Sequence, residues 1–205
     1  MNGTPKRAAV VVAHPDDEII WCGGLILQHP DWKWTVLSLS RADDPDRRPK
    51  FEAVCRQLGT IGLISTLDDG NPPAMIDCAR EISTRMEQLL SAGPWDLCIT
   101  HGPNGEYGHI RHTQIHTQVL ELVREGTLAC KELWTFAYRC DAGNGRCRPA
   151  ADADVLVELT AEQLRWKKGV IQADYGYGPD SFEVTACISP EAFRCWKVPA
   201  REMEL

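Results

Sequence analysis

The sequence predicts an α/β fold of the Rossmann-like type, a mostly parallel sheet with helices on both faces and a small C-terminal α+β extension. Short apolar runs of strand length alternate along the chain with segments whose apolar residues have helical spacing, an order typical of parallel sheets. The first run, residues 8–12, is apolar throughout, as expected of a strand covered on both faces. No G-x-G-x-x-G motif follows it, so the dinucleotide-binding fingerprint is absent.

The predicted elements alternate in order through residue 138. Strands are predicted at residues 8–12, 34–39, 61–67, 96–100 and 133–138, and helices at 18–28, 51–58, 76–90 and from 109 onward. Residues 41–50 are polar, contain two prolines, and are predicted to form a connecting loop. Residues 68–73, Asp-Asp-Gly-Asn-Pro-Pro, give a strong turn signal.

The chain is predicted to form one domain, residues 1–205, with its core at 8–138 and a variable C-terminal part at 139–205. The Gly-, Pro- and Ala-rich segment 139–153 is predicted to be a surface excursion, and a short edge strand is predicted at 155–159. A helix is predicted at 161–173 with Thr160 as its N-cap. A loop at 174–180 and a last strand at 184–188 complete the prediction.

The composition excludes several classes of protein. The 205 residues carry a formal net charge of −7 and no basic stripe, which argues against a nucleic-acid partner and against an anionic membrane surface. No apolar run is long enough to span a bilayer, and the first apolar stretch is interpreted as a strand rather than a signal peptide. A cytoplasmic location is therefore expected, and a homo-oligomer is compatible with the sequence.

The nine cysteines include no Cys-x-x-Cys pair, and most stand inside apolar segments. Buried free thiols in a reducing compartment are favoured over a disulfide framework. Cys140 and Cys147 differ from the others because they flank a glycine-rich loop. This pair can form a disulfide or bind a metal.

The first functional feature is the turn at residues 13–18, Ala-His-Pro-Asp-Asp-Glu, between the first strand and the first helix. Ligands of open α/β sheets bind at this edge. An imidazole and three carboxylates so close in the chain are costly to hold together unless a cation neutralises them, and His and Asp are ordinary zinc ligands. Metal binding therefore competes with a simpler interpretation, in which Asp16 or Asp17 only caps the helix.

A second polar stretch, residues 101–116, follows the fourth strand and contains four histidines, three glycines and a proline. In the strand order 3-2-1-4-5 the first and fourth strands are neighbours, and the crevice at the switch point lies between their carboxyl ends. The two polar stretches are then expected to meet in one site although they lie far apart in the chain. Their convergence favours the metal interpretation.

The spacing of the histidines leaves the ligand set open. His112 and His116 stand four residues apart on one helical face, whereas His109 and His112 stand three apart. His116 lies a full turn deeper in the helix, so a structural role is favoured for it, and His101 is left unassigned. Three protein ligands and one water form the pattern of a catalytic zinc site. The candidate ligands are His14 and Asp17 with one or more of His101, His109, His112 and His116.

Residues 13–18 followed by Gly-His-x-x-His at 108–112 resemble the LmbE-like or PIG-L family of zinc-dependent N-acetylglucosamine de-N-acetylases. Residues 40–59 and 100–105 are also similar to this family, and the resemblance covers roughly residues 10–116. It implies that an N-acetylated sugar or glycoconjugate is hydrolysed to acetate and a free amine. Two alternatives stay open: a metal-dependent ester or phosphoester hydrolase, and a non-catalytic domain that binds a small ligand at the same crevice.

The resemblance also implies roles for individual residues. The implied zinc ligands are His14, Asp17 and His112, with Fe²⁺ as an alternative metal. Asp16 is implied as the general base, and His109 as the group that assists at the oxyanion or the leaving group.

The residues that contact the substrate are less defined. The candidate contacts lie on predicted loops that face the crevice. They are Arg48 or its neighbour Arg47, Asp69 and Tyr107.

Family members often have Pro-Asp between the two histidines of the second motif, where this chain has Ile110-Arg111. The spacing of the histidines is kept, so metal binding is expected to be kept as well, while the substrate stays open.

Overall fold

The computed structural model describes residues 6–69, 78–90, 93–141 and 146–198. The strands are β1 (Arg7–Val12), β2 (Lys33–Ser38), β3 (Ile61–Ile64), β4 (Trp95–Thr100), β5 (Cys130–Phe136), β6 (Tyr138–Cys140), β7 (Cys147–Pro149), β8 (Val155–Val157) and β9 (Glu191–Trp196). The helices are α1 (Asp17–Gln28), α2 (Arg47–Leu58), α3 (Cys78–Leu89), α4 (Gly105–Gly108), α5 (Ile110–Glu125), α6 (Ala161–Ala173) and α7 (Phe182–Ala186). Most of the predicted turn at 68–73 lies outside the described residues.

Seven strands form one sheet in the order β3-β2-β1-β4-β5-β9-β8. The first five strands of this order run parallel, whereas β9 is antiparallel to β5 and β8 is antiparallel to β9. The predicted fold class and the predicted order 3-2-1-4-5 are confirmed. Because β1 lies between β2 and β4, the strand order reverses there, and the crevice opens at the carboxyl ends of β1 and β4.

The core has two layers, one on each face of the sheet. Along β1, Ala8, Val10 and Val12 pack into one layer and Ala9 and Val11 into the other, and all five are 0% exposed. A strand covered on both faces needs an apolar side chain at every position. This packing explains the uninterrupted apolar run that precedes the turn at residues 13–18, which we call the acidic turn.

The predicted last strand at 184–188 is wrong. Residues 184–186 belong to α7, and the Ser181 hydroxyl caps this helix by accepting the backbone N–H of Val184 at 3.3 Å. A short apolar run does not distinguish a buried strand from a buried helical turn, and the serine cap favours the helix. The last strand is β9, which begins directly after Pro190.

Helix α2 begins at Arg47, inside the segment that was predicted to be a loop. The Asp44 carboxylate accepts the backbone N–H groups of Asp46 and Arg47 at 2.9 and 3.0 Å. Pro49 lies in the first turn, where a missing N–H costs no helical hydrogen bond. The helix therefore starts a turn earlier than its apolar spacing indicates.

A disulfide joins Cys140 to Cys147 across the small hairpin of β6 and β7. The sequence favoured free thiols and left open whether this pair forms a disulfide or binds a metal; the structure shows the disulfide. Six further cysteines are free, most of them buried: Cys22, Cys55, Cys98, Cys130, Cys187 and Cys195. None of the described helices is both long and apolar enough to cross a membrane.

A buried ion pair fixes α1 against the C-terminal part of the chain. Glu191 accepts the backbone N–H groups of Gly24 and Leu25 at 2.7 Å each. It also pairs with Lys167, whose ammonium group donates to the carbonyl of Ile20 at 3.2 Å. Both charged side chains are completely buried, where a charge is tolerated only if it is paired and hydrogen-bonded. The ion pair therefore anchors α1, the helix that follows the acidic turn, to α6 and β9.

Candidate metal centre

The turn between β1 and α1 has an unusual backbone. Asp16 has a φ of 120°, a region that residues with a side chain rarely adopt and that is enriched at functional sites. Its carbonyl accepts the N–H groups of Ile19 and Ile20, while its side chain makes no capping hydrogen bond. Asp17 instead accepts the backbone N–H of His14 at 2.9 Å. Helix capping therefore does not account for the Asp16 carboxylate.

Three side-chain atoms from the two polar stretches converge at the carboxyl ends of β1 and β4. Nδ1 of His14, Oδ2 of Asp17 and Nε2 of His112 lie 3.4 Å from one another, and these residues form a candidate metal-binding group. In a tetrahedral zinc site with bonds of about 2.0–2.1 Å, ligand atoms stand about 3.3–3.4 Å apart. The spacing and the donor atoms of this group, the metal triad, therefore fit a divalent cation with one position left for water.

The charges around the metal triad also favour a cation. Burial lowers the pKa of His14, but the carboxylates of Asp17 and Asp69 raise it to about 10 overall. Burial raises the pKa of Asp17, yet the neighbouring histidines, His112 above all, hold it well below its usual range. Burial and His101 lower the pKa of His112, so positive charge is favoured at His14, beside the Asp17 carboxylate, where a metal ion can supply it in place of a proton.

Asp69 orients the first histidine of the metal triad. Its Oδ2 atom lies 3.0 Å from Nε2 of His14, so that Nδ1 of His14 faces the other two ligand atoms. Asp69 also pairs with Arg41 at 3.1 Å. The sequence predicted Asp69 as a substrate contact; the structure places it against His14, in the position of a carboxylate that fixes the ring of a metal-binding histidine.

Arg111, the departure from the family pattern, is directed into the protein. The side chain is completely buried. It donates to the carbonyl of Asp68 and, at 2.7 Å, to the side chain of Gln114, and its Nε atom lies 3.8 Å from Asp69. Arg111 therefore supports the loop that carries Asp69 and does not approach the crevice.

Glu106 orients the second histidine of the metal triad. Its Oε2 atom lies 2.6 Å from Nδ1 of His112 and 2.9 Å from Nδ1 of His101, and its Oε1 atom accepts the backbone N–H of Gly102 at 2.7 Å. Burial raises the pKa of Glu106, but the two histidines outweigh it and lower the pKa to about 2. Glu106 is therefore ionised, and it leaves Nε2 of His112 directed at the metal triad.

His101 and His116 make structural contacts. Nε2 of His101 accepts the backbone N–H of Ala13 at 2.9 Å, which ties the second polar stretch to the acidic turn. Nδ1 of His116 donates to the carbonyl of His101 at 2.8 Å. His116 belongs to none of the candidate metal groups among the described residues. The structural role favoured for it agrees with these contacts.

Asp16 stands beside the metal triad without belonging to it. Its side chain is 8% exposed, and the carboxylate accepts a hydrogen bond from Arg47 at 3.3 Å and another from the Tyr177 hydroxyl. Burial and the adjacent Asp17 carboxylate raise its pKa well above the usual range. A carboxylate with a raised pKa next to a metal site has the properties of a general base.

His109 packs against the two histidine rings of the metal triad. Its ring centre is 4.8 Å from that of His14 and 4.5 Å from that of His112. Burial, together with the charges of those two histidines, lowers its pKa to about 4, so the ring is neutral at pH 7 and carries one N–H donor. Its Nδ1 atom is buried and has no hydrogen-bond partner among the described residues.

A pocket of about 340 Å³ opens above the metal triad. Charged and aromatic side chains line it together, among them Asp16, Arg47, Tyr107 and Phe182. Tyr107 was a predicted substrate contact and is 41% exposed there. Arg48 does not line the pocket, because it pairs with Glu52 one turn along α2. Its neighbour Arg47 lines the pocket instead.

Among the residues of the site that were not predicted from the sequence are Glu106, Tyr177 and Phe182. Glu106 gave a usable signal, because it is an acidic residue inside the glycine-rich part of the second polar stretch. Tyr177 and Phe182 lie in the C-terminal part of the chain, where no motif marks them. Their position depends on how α6 and α7 pack beside α1, which local patterns do not predict.

Comparison with solved structures agrees with the fold. The N,N'-diacetylchitobiose deacetylase of Pyrococcus horikoshii superposes with a TM-score of 0.68 at 15% identity, over 93% of this chain and 84% of that one. The 4-carboxy-2-hydroxymuconate hydratase GalB of Pseudomonas putida KT2440 superposes with a TM-score of 0.63 at 16% identity, over 98% and 99%. Because a hydratase and a deacetylase share this fold, the fold alone does not decide the reaction.

Sequence comparison gives the family. The chain is 26% identical over 154 residues to a 1D-myo-inositol 2-acetamido-2-deoxy-alpha-D-glucopyranoside deacetylase of Rhodococcus erythropolis, a match that covers 57% of this chain and 52% of that protein. The chain thus spans about half the length of this relative. The model of the PIG-L family, GlcNAc-PI de-N-acetylase, matches residues 9–123, more than half of the chain and both polar stretches. The family predicted from the two motifs is therefore confirmed: the chain belongs to the PIG-L deacetylase family.

Proposed function

We propose that the protein is a zinc-dependent deacetylase that removes an N-acetyl group from an amino-sugar-containing substrate and releases acetate and a free amine. The observation that carries the proposal is the metal triad, whose ligand atoms have the spacing of a tetrahedral zinc site. It lies at the floor of a pocket, in a chain of a deacetylase family. Fe²⁺ suits the same donor atoms and is the alternative metal.

His14, Asp17 and His112 would hold the metal. Asp69 and Glu106 keep the two histidine rings in place, since each accepts the hydrogen bond of the ring nitrogen that does not face the metal. When bound, the metal supplies Lewis-acid chemistry: it polarises the amide carbonyl and lowers the pKa of water towards neutrality.

Asp16 is assigned as the general base. It lies next to the metal triad and takes the proton of the water that attacks the acetyl carbon. Asp17 is a poorer base because the metal would occupy its carboxylate. The neutral ring of His109 donates its N–H to the carbonyl oxygen as that oxygen becomes negative. The amine then departs with a proton that Asp16 or His109 returns to it.

The substrate assignment rests on the family and on the pocket. The relatives and neighbours described above include deacetylases of N-acetylated amino sugars. A sugar ring can lie against Tyr107 and Phe182, whose rings contact each other in the pocket lining, while Arg47 and Asp44, also in the lining, offer hydrogen bonds to its hydroxyl groups. Arg47 replaces Arg48 as the proposed contact from α2.

A panel of substrates tests this function. The purified protein, loaded with zinc, is incubated with N-acetylated amino sugars, acetate esters and phosphate esters, and the products are analysed by mass spectrometry. We expect a loss of about 42 Da, one acetyl group, from at least one acetylated amino sugar, together with equimolar acetate. Turnover of only the esters or phosphate esters would favour the other hydrolase classes. Tight sugar binding without turnover would favour a binding domain.

A substitution of Glu106 tests the support of the metal triad. Glu106→Gln keeps the shape of the side chain but removes the charge that fixes His112, and we expect zinc affinity to fall about 10–100-fold. The measurement is competition against a chelator of known affinity. Glu121→Gln, the same change on the exposed face of α5, is the matched control. An unchanged affinity in Glu106→Gln would show that this carboxylate does not support the metal.

A further inference from the structure

The segment 174–180, between α6 and α7, lies across the acidic turn; we call it the tyrosine loop. The Tyr175 hydroxyl donates to Glu18 at 2.6 Å, and Lys50 donates to the carbonyl of Tyr175 at 3.1 Å. Gln57 donates to the side chain of Asp174 at 3.0 Å. The tyrosine loop is therefore fixed both to the acidic turn and to α2.

The second tyrosine of the loop reaches the assigned base. The Tyr177 hydroxyl donates to Oδ2 of Asp16, and Arg47 donates to the same oxygen at 3.3 Å. The guanidinium group of Arg47 in turn lies 4.6 Å from the centre of the Tyr177 ring, a cation–π contact. The three side chains thus form one contiguous group, in which each member contacts the other two.

This arrangement determines which oxygen of Asp16 is available. In the part of the chain that the structure describes, the side-chain hydrogen bonds of Asp16 go to Oδ2. Two donors on one oxygen fix the carboxylate plane and leave Oδ1 for a proton. The positive φ of Asp16 makes its placement depend on such contacts, because the backbone alone does not favour this conformation.

We propose that Tyr177 is a positioning residue of the reaction: its hydroxyl anchors Oδ2 of Asp16, and Oδ1 is thereby aimed at the attacking water. The inference rests on the proposed function, since it concerns the base assigned there. Tyr177 lies beyond residues 9–123, the region that matches the family. The C-terminal part of this chain then contributes directly to the placement of the base.

Tyr177→Phe tests the inference, because it removes the hydroxyl and keeps the ring that Arg47 contacts. We expect kcat to fall about 10–100-fold, the scale of a misplaced catalytic group, with KM within about threefold of the wild type. Zinc content and the thermal unfolding midpoint are expected to stay the same. Gln57→Ala is the matched control, because it removes a contact of the same loop outside the pocket and is expected to leave kcat unchanged.

A double variant separates positioning from a general structural effect. If Tyr177 acts through Asp16, then Tyr177→Phe added to Asp16→Asn lowers the residual rate no further, whereas an independent effect is additive. If the wild type is active and Tyr177→Phe has an equal or higher kcat, this inference alone is overturned. It is also overturned if the rate losses of Tyr177→Phe and Asp16→Asn add in the double variant. A wild type without turnover on any substrate of the panel overturns the proposed function, and this inference falls with it.

Discussion

Asp16→Asn is expected to keep its zinc and to lose about 10²–10⁴ in kcat. The amide has the shape of the carboxylate and can still accept the hydrogen bonds of Arg47 and Tyr177. It cannot take a proton from water, so the step that generates the nucleophile is lost. Because the atoms of the metal triad come from other residues, the metal should stay bound. Zinc content per chain and initial rates on the best substrate of the panel are the measurements.

The control for this variant is a carboxylate in the same pocket that lies outside the metal triad. Glu183 lines the pocket, and Glu183→Gln makes the same change in charge. We expect its loss in kcat to be at least about tenfold smaller than that of Asp16→Asn. An Asp16→Asn protein with the full wild-type rate would remove Asp16 from the role of base. An Asp16→Asn protein without zinc would mean that this carboxylate is itself a ligand.

The fold and the meeting of the two polar stretches could be predicted because they follow from periodic patterns and from topology. Apolar runs buried on both faces identified the parallel strands, and the reversal of strand order placed the ends of β1 and β4 side by side. Neither step needs knowledge of side-chain packing. The metal triad follows almost directly, because its members lie at the two loops that this topology brings together.

The supporting residues were harder to predict, since their roles depend on contacts between distant parts of the chain. Asp69 was predicted at the crevice, but only the structure shows that it holds the ring of His14. Tyr177 reaches Asp16 across a large separation in sequence, through a loop whose path is set by α6. The helix α7 was predicted as a strand for a related reason: its burial comes from packing, while its cap is a single serine.

The departure at Ile110-Arg111 shows how one motif position can change without changing the metal site. An arginine between two histidines of a metal site would repel a cation if it pointed at the crevice. Here Arg111 is buried, does not line the pocket, and supports the loop of Asp69. Its positive charge therefore acts on the carboxylate that orients His14, and the spacing of the ligands is unaffected.

His112→Ala is expected to abolish metal binding, whereas His116→Ala, four residues along the same helix, is expected to keep it. His112 supplies one of three ligand atoms, and two remaining ligands do not hold zinc against dialysis in the presence of a weak chelator. His116 instead bonds to the carbonyl of His101. Zinc content by elemental analysis should fall from about one ion per chain to near zero only in His112→Ala, and deacetylation should disappear with it.

The pair of histidine variants also controls for damage to the fold. Both remove a buried imidazole from α5, and each removal breaks one buried hydrogen bond, to Glu106 in one case and to the His101 carbonyl in the other. Each loss is expected to cost about 1–3 kcal/mol of stability, so the thermal unfolding midpoints of the metal-free proteins should fall by similar amounts. Zinc bound to His112→Ala but absent from His116→Ala would show that the metal triad is assigned to the wrong histidine. Equal loss from both would mean that α5, rather than one ligand, determines metal binding.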